Sequence, residues 1–200
     1  MLTTSQQPSN SRKTEGSLTY IVRQAEKPYF LSSALTGGAP EVHFKTEQHT
    51  VAIHDMRHIE ANVDREGFEL MNHSSTLENF YDDQAITSVY NSEITNLLRN
   101  RFGASEVHIF DHTRRSDSPT GAANPDGLRG PATRVHCDYT DKSGPQRAKD
   151  AMGEEAYDAA IARGARILQV NVWRSISSEP VRRAPLALAA SNSVPAADLI

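Results

Sequence analysis

Cysteine is almost absent from this chain. Cys137 stands alone, which excludes an internal disulfide and fits a reducing compartment. Long apolar runs are absent too, so no stretch of sequence suits a membrane-spanning helix. Basic charge is not in excess: the formal net charge is −4, which gives no general attraction to nucleic acid or an anionic membrane surface. The sequence has no G-x-G-x-x-G, no G-x-x-x-x-G-K-[ST] and no G-x-S-x-G. That removes the dinucleotide-binding, P-loop and nucleophile-elbow readings. The N-terminal MLTTSQQPSNS carries neither an apolar h-region nor an arginine-rich amphipathic pattern. Together these absences lead to the expectation of a soluble, cytoplasmic protein whose partners include neither nucleic acid nor membrane.

What is present suits a folded chain. At 200 residues and 38% hydrophobic content, a single domain with a real core is expected. Residues 1–16 are rich in Ser, Thr, Gln and Asn and read as a disordered tail, leaving 17–200 as the domain. Strands are expected at 18–23, 49–57 and, more weakly, 67–73. A helix follows, with Asp82 as its N-cap, Ile86, Val89, Tyr90, Ile94, Leu97 and Leu98 at helical spacing, and Gly103 as a left-handed terminator. Residues 105–112 read as a strand and 114–131 as a long irregular loop, either a lid or a disordered excursion. A further helix spans 145–164 and ends at Gly164. Strands at 166–174 and 184–190 complete the pattern. This order implies a mainly β, α+β fold with a central sheet or barrel.

The chemistry concentrates at R-V-H-C-D-Y-T, residues 134–140. Side chains alternate along a strand, so His136 and Asp138 share one face while Val135 and Cys137 share the other. Cys137 then reads as a packed core thiol rather than a nucleophile. With 8 histidines and 12 aspartates in the chain, a His-x-Asp pair arises by chance about once in two such sequences, so the pair alone decides little. An imidazole and a carboxylate on one strand face do, however, supply two ligands of the 2-His-1-carboxylate triad that holds non-haem Fe(II). In the strand 166–174, Leu168, Val170 and Val172 share one face, with Gln169, Asn171 and Trp173 on the other. A face bearing two amides implies a wet or ligand-lined pocket, or else a solvated surface.

GPATRVHCDYT, VHIFDHTRR, LQVNVWRSISSEPVRRAPLALAASNSV and the terminal DL together resemble the fungal asaB-type hydroxylase/desaturase family. That family includes gibberellin desaturase and is related to cephalosporin methoxylation proteins. The likeness runs from about Val51 to the C-terminus, and the ordered set FDH-x-x-R, VH-x-DYT, N-x-WR and PLAL is more specific than any one motif. The resemblance implies a double-stranded β-helix (jelly-roll, cupin-like) core with flanking helices. It also implies Fe(II) as metal and 2-oxoglutarate as co-substrate. His136 and Asp138 become metal ligands, and Arg134, Asn171, Trp173 and Arg174 become substrate or co-substrate pocket residues. The sequence departs from the family in having no histidine after Asp138, so the distal ligand and the last strands of the barrel are expected to be missing. His108, His112 and His58 are then the first candidates for a third ligand.

Three functions follow. The first is hydroxylation or desaturation of a small natural product in secondary-metabolite biosynthesis. The second is a catalytically inactive or truncated family member acting as a partner subunit. The third, independent of the resemblance, is a zinc hydrolase using the same two ligands. An incomplete barrel exposes strand edges, which pair readily with another chain. The 200-residue chain is therefore expected to form homo- or hetero-oligomers through those edges, or to have low solubility, and to hold iron weakly. Sizing chromatography with metal analysis checks this; a monomer with one tightly held iron per chain contradicts it.

Overall fold

The computed structural model describes residues 12–31, 33–37 and 41–199. Most of the sequence-predicted tail therefore lies outside the described residues, although its last part, from Lys13, already belongs to a strand. The chain divides into two compact units. One comprises the residues up to Asn72 with Ala132–His136 and those from Pro185 onward; the other comprises His73–Pro131 and Cys137–Ala184.

The first unit is built on a long antiparallel ladder between β1 (Lys13–Ile21) and β4 (Thr46–His54). It runs in unbroken register from Lys13 opposite His54 to Ile21 opposite Thr46. At Gly16 a Cβ would lie 2.6 Å from Cδ1 of Ile53 on the neighbouring strand, so a larger residue there needs the end of the Ile53 side chain to move. A shorter pair, β2 (Tyr29–Leu31) and β3 (Glu41–His43), brings Tyr29 and His43 into a stacked contact at 4.2 Å. Residues 132–136 run beside β1, where the Val135 amide donates to the Thr19 carbonyl at 2.9 Å. A one-turn helix, Val63–Glu66, is capped by the Asn62 side chain and closed by Gly67 at φ 84°. That closure explains why 67–73 forms no strand: Gly67 turns the chain out of a helix, and Leu70 and Met71 remain exposed.

Among the described residues, the buried hydrophobic side chains all fall in the second unit. Its core gathers Leu77, Ile86, Tyr90 and Ile94, with Phe80, Val89, Leu97, Leu98 and Ile109 packed around them. The helix begins as expected. Asp82 Oδ1 accepts from the amides of Gln84 and Ala85, each at 3.0 Å, and Gly103 ends it at φ 64°. Between the helical segments Asp83–Ala85 and Asn91–Phe102, residues Ile86–Tyr90 form a single π-helical turn. Residues four apart on an α-helix drift by about 40° around its axis. The wider turn absorbs that drift and keeps Ile86 and Tyr90 on the buried side.

Two polar anchors brace this core. Glu93 accepts from Ser75 Oγ at 2.5 Å and from the amide and hydroxyl of Thr76 at 2.7 and 2.6 Å. These donors hold its carboxyl well below the usual carboxylate range, at about 2. Arg114, only 8% exposed, donates to the Asp83 carboxylate and to the Phe80 carbonyl, and its guanidinium lies over the Tyr81 ring. The Asn124 amide clasps the backbone of Arg114 from both sides, at 2.7 and 2.9 Å.

The expected loop 114–131 is thus partly ordered. It contains a hairpin of β5 (Ala122–Asn124) and β6 (Gly127–Arg129). Pro125 and Asp126 form its turn. Gly121, at φ 75°, passes so close to Arg129 that a Cβ would sit 2.7 Å from its carbonyl. The helix expected at 145–164 is two helices, Ser143–Met152 and Glu154–Ala162. Gly153 separates them with φ 87° and ψ 145°, a conformation that leaves the helix path.

Among the described residues, ladders join only three antiparallel strand pairs, and no closed barrel forms. Residues 105–112, 166–174 and 184–190 carry strand-like alternation without a ladder partner. A hydrophobic pattern is local, whereas a ladder needs a second segment, so pattern alone cannot create it. Accordingly Leu168, Val170 and Val172 stay 38%, 40% and 41% exposed. Among the described residues, no helix is long and apolar enough to cross a membrane.

The buried Arg114 gives a test. Asp83→Asn leaves the guanidinium without its carboxylate partner and should cost about 1 kcal/mol or more in urea unfolding. Asp126→Asn, which loosens the exposed pair with Arg129, should cost less than about 1 kcal/mol.

Candidate functional site

His136 ends the short stretch that runs beside β1. Its Nδ1 donates to the Arg134 carbonyl at 2.8 Å. A carbonyl can only accept, so this bond places the proton on Nδ1 and makes Nε2 the basic nitrogen, the form in which a histidine ligates a metal. Arg134 itself lies over Phe30 and Phe44, at 5.8 and 5.5 Å from the ring centres. These contacts all belong to the first unit.

Asp138 belongs to the second unit. Its Oδ2 accepts from Asn171 Nδ2 at 2.5 Å, so an amide from the 166–174 stretch orients the carboxylate. Gln169, two residues earlier, donates to the Gly144 carbonyl at 2.7 Å. The two amides thus meet different partners, in a stretch that has no ladder. Ile167 and Gln169 line an open cleft together with Tyr139, Thr140, Pro145 and Tyr157.

Other expectations change. Cys137 is exposed rather than packed in a core, because the stretch around it gains no covering layer on that side. Trp173 is 55% exposed. Arg174 has turned the other way from Asn171, toward the helical core. Its guanidinium lies 5.1 Å from the Phe80 ring centre and 5.7 Å from that of Tyr90.

The candidate third ligands are engaged elsewhere or exposed. His112 Nε2 donates to Asn91 Oδ1 at 2.7 Å, and burial pushes its pKa down. His108 sits 3.2 Å from the Glu106 carboxylate. His58 is exposed in the short turn Met56–His58. Among the described residues, no three His, Cys, Asp or Glu side chains converge into a group that could hold a metal. The residues thus fit an iron centre in donor chemistry at two positions, each side chain oriented by its own hydrogen bond. Sequence reasoning missed Phe80 and Tyr90 as neighbours of Arg174; residues so far apart in the chain leave no local signal of their meeting.

A family profile described as an oxidoreductase/YMDC permease-like domain matches residues 18–200. The alpha-ketoglutarate-dependent dioxygenase phiK of Fungal sp. is 32% identical over 76% of this chain and 54% of its own length. The hydroxylase/desaturase efuI of Hormonema carpetanum is 28% identical over 84% of this chain and 59% of its own. The chain spans just over half the length of these relatives. Among solved structures, the iron and alpha-ketoglutarate-dependent endoperoxidase NvfI, in one of its conformations, aligns with a TM-score of 0.51 at 23% identity. That alignment covers 76% of this chain and 56% of NvfI, and it shows that this chain shares the NvfI fold over that span.

The engaged state of His112 has a pH signature. Its folded pKa lies below the free value because burial disfavours the charged ring. The stability this reflects is complete above the unfolded pKa, about 6.5, and is lost as pH falls toward the folded value. His112→Gln should flatten the decline in melting temperature between about pH 7 and about pH 5. A variant with the same slope as the parent would contradict the assignment.

Proposed function

This chain belongs to the oxidoreductase/YMDC permease-like domain family and is a distant homologue of fungal hydroxylase/desaturases; on that premise we propose that it carries two metal ligands of an Fe(II)- and 2-oxoglutarate-dependent oxygenase. In this reading the enzyme hydroxylates or desaturates a small natural product. The observation that carries it is the His136-x-Asp138 pair, in which each member has a separate orienting partner. Metal-binding histidines and carboxylates are fixed in this way, and the orienting bond raises ligand basicity and sets the angle of approach.

When bound, Fe(II) with 2-oxoglutarate and O₂ supplies the oxidising power for attack on an unactivated C–H bond. The protein's part is positional. His136 offers Nε2 because Nδ1 is committed to the Arg134 carbonyl. Asp138 offers its carboxylate while Asn171 holds one oxygen, restricting the rotation that a free aspartate would have. The covalent backbone keeps residues two apart in a strand within about 7 Å at Cα, a span that suits two ligands of one ion. The finer fold is part of the same reading: residues 105–112, 134–140, 166–174 and 184–190 are strands of a double-stranded β-helix core. The names of the relatives, dioxygenase and hydroxylase/desaturase, support the reaction class.

Anaerobic addition of Fe(II) and 2-oxoglutarate should give the weak visible charge-transfer band of a chelated keto acid. His136→Ala and Asp138→Ala should each abolish it, while Cys137→Ser leaves it intact. Asn171→Leu should weaken iron binding by about 10–100-fold without removing a ligand. A band that survives both alanine substitutions sinks the ligand assignment.

A further inference from the structure

We propose that the open cleft lined by Tyr139, Asp141, Tyr157, Ile167 and Gln169 binds a small protonated amine with an apolar body, the Asp141 carboxylate and the two tyrosine rings meeting its charge. The inference needs no metal at His136 and Asp138.

The cleft lies wholly within the second unit and encloses about 390 Å³, a volume that suits a small organic molecule. Its lining is mixed. Tyr139, Tyr157 and Ile167 are half-buried and Ala148 is buried, which supplies apolar surface and two aromatic rings. Asp141 and Gln169 bring polar groups into the same lining. An exposed aspartate by itself says little. One that shares a cleft with two aromatic rings says more, because a carboxylate and a ring face both attract a cation and both disfavour an anion.

The backbone closes off the opposite reading. Gly144 and Pro145, in the first turn of the helix Ser143–Met152, also line the cleft, and a helix start is ordinarily a place for an anion. Here its donors are taken. The amides of Lys142 and Ser143 donate to Thr140 Oγ1 at 3.3 and 3.1 Å. The Gly144 amide donates to the Thr140 carbonyl at 2.9 Å, and Pro145 has no N–H. Gln169 spends its Nε2 on the Gly144 carbonyl at 2.7 Å, which leaves Oε1 as an acceptor. The Asp141 carboxylate has no donor among the described residues. A charged N–H group is the partner that these two acceptors lack.

Local charge has the same sign. Residues 139–158 carry five acidic side chains against three basic ones. Tyr157 already shows how its ring is used, since Lys149 Nζ lies 5.3 Å from the ring centre. That lysine is outside the cleft lining and is answered by Glu154 and Asp158, at 3.3 and 3.4 Å. Asp141 is therefore left to a cation from solution.

Calorimetric titration of the metal-free chain in chelator at neutral pH tests this. The probes are phenethylamine, 2-phenylethanol and 3-phenylpropanoate, three ligands of similar shape that are cationic, neutral and anionic. One saturable site per chain is expected for the amine, with the alcohol and the acid at least about five-fold weaker. Asp141→Asn should weaken amine binding about five-fold and Tyr157→Leu about three-fold, with circular dichroism unchanged. Asp150→Asn, on the same helix but outside the cleft lining, should titrate like the parent. The proposal is overturned by no saturable binding of the amine, by an alcohol or acid that binds as tightly, or by an amine affinity unchanged in Asp141→Asn. An equal loss in Asp150→Asn also overturns it, since general charge would then explain the preference. If Tyr157→Leu unfolds, Tyr139→Leu takes its place, and an affinity unchanged by the ring variant that folds refutes the site. The chelator keeps every outcome separate from the charge-transfer test of His136 and Asp138.

Discussion

One buried cation governs how the second unit is assembled. Arg114 can leave water only where anions and carbonyls meet it, and each group that meets it comes from a different piece of chain. Asp83 is the first residue of the helical run, so the contact fixes where that helix starts. The Phe80 carbonyl fixes the segment before it. Asn124 ties the Arg114 backbone to the hairpin. With those three set, the Phe80 ring lies against Tyr90 at the top of the core and under Arg174. The surroundings of Arg174 are a consequence of how Arg114 is satisfied.

What could be read from the sequence was what is encoded locally. The helix from Asp83 to Phe102 announced itself through the Asp82 cap, its apolar spacing and Gly103, all of which act within one turn of chain. Alternation at 166–174 was equally local, and two of the residues it put on one face, Ile167 and Gln169, line one cleft. Ladder formation was not legible, because it depends on a partner that no neighbouring residue specifies. Gly153 shows a different limit. A glycine inside a helical pattern reads as a tolerated defect, and only its positive φ reveals a break into two helices. The hairpin at 122–129 hid within a loop because strands this short leave no periodicity to detect.

The candidate site divides along the same line. His136 and Asp138 are neighbours in sequence, so the motif could be found by reading. Their orienting groups follow two rules. The Arg134 carbonyl is a backbone atom two residues away, invisible to any motif. Asn171 lies 33 positions on; alternation put it on a polar face, but nothing in the sequence paired it with Asp138. Arg174 was grouped with Asn171 by the family resemblance, yet strand geometry sends consecutive side chains to opposite faces. Its contacts with Phe80 and Tyr90 follow the geometry.

The π-helical turn at Ile86–Tyr90 bears on which length changes this protein can accept. Deleting one residue from that turn would let the helix run on with ordinary α bonding and would break no cap. A π turn is an α-helix that holds one extra residue, so the helix beyond it would keep close to its present phase, with Ile94 still in the core and Glu93 still beside Ser75 and Thr76. A deletion within Asn91–Phe102 has no wide turn to absorb it and would rotate everything beyond it by about 100° and shift it by about 1.5 Å. Single-residue deletions are most often tolerated in loops, but this helix carries one place, at 86–90, where its length can change by one residue without turning its apolar face out of the core.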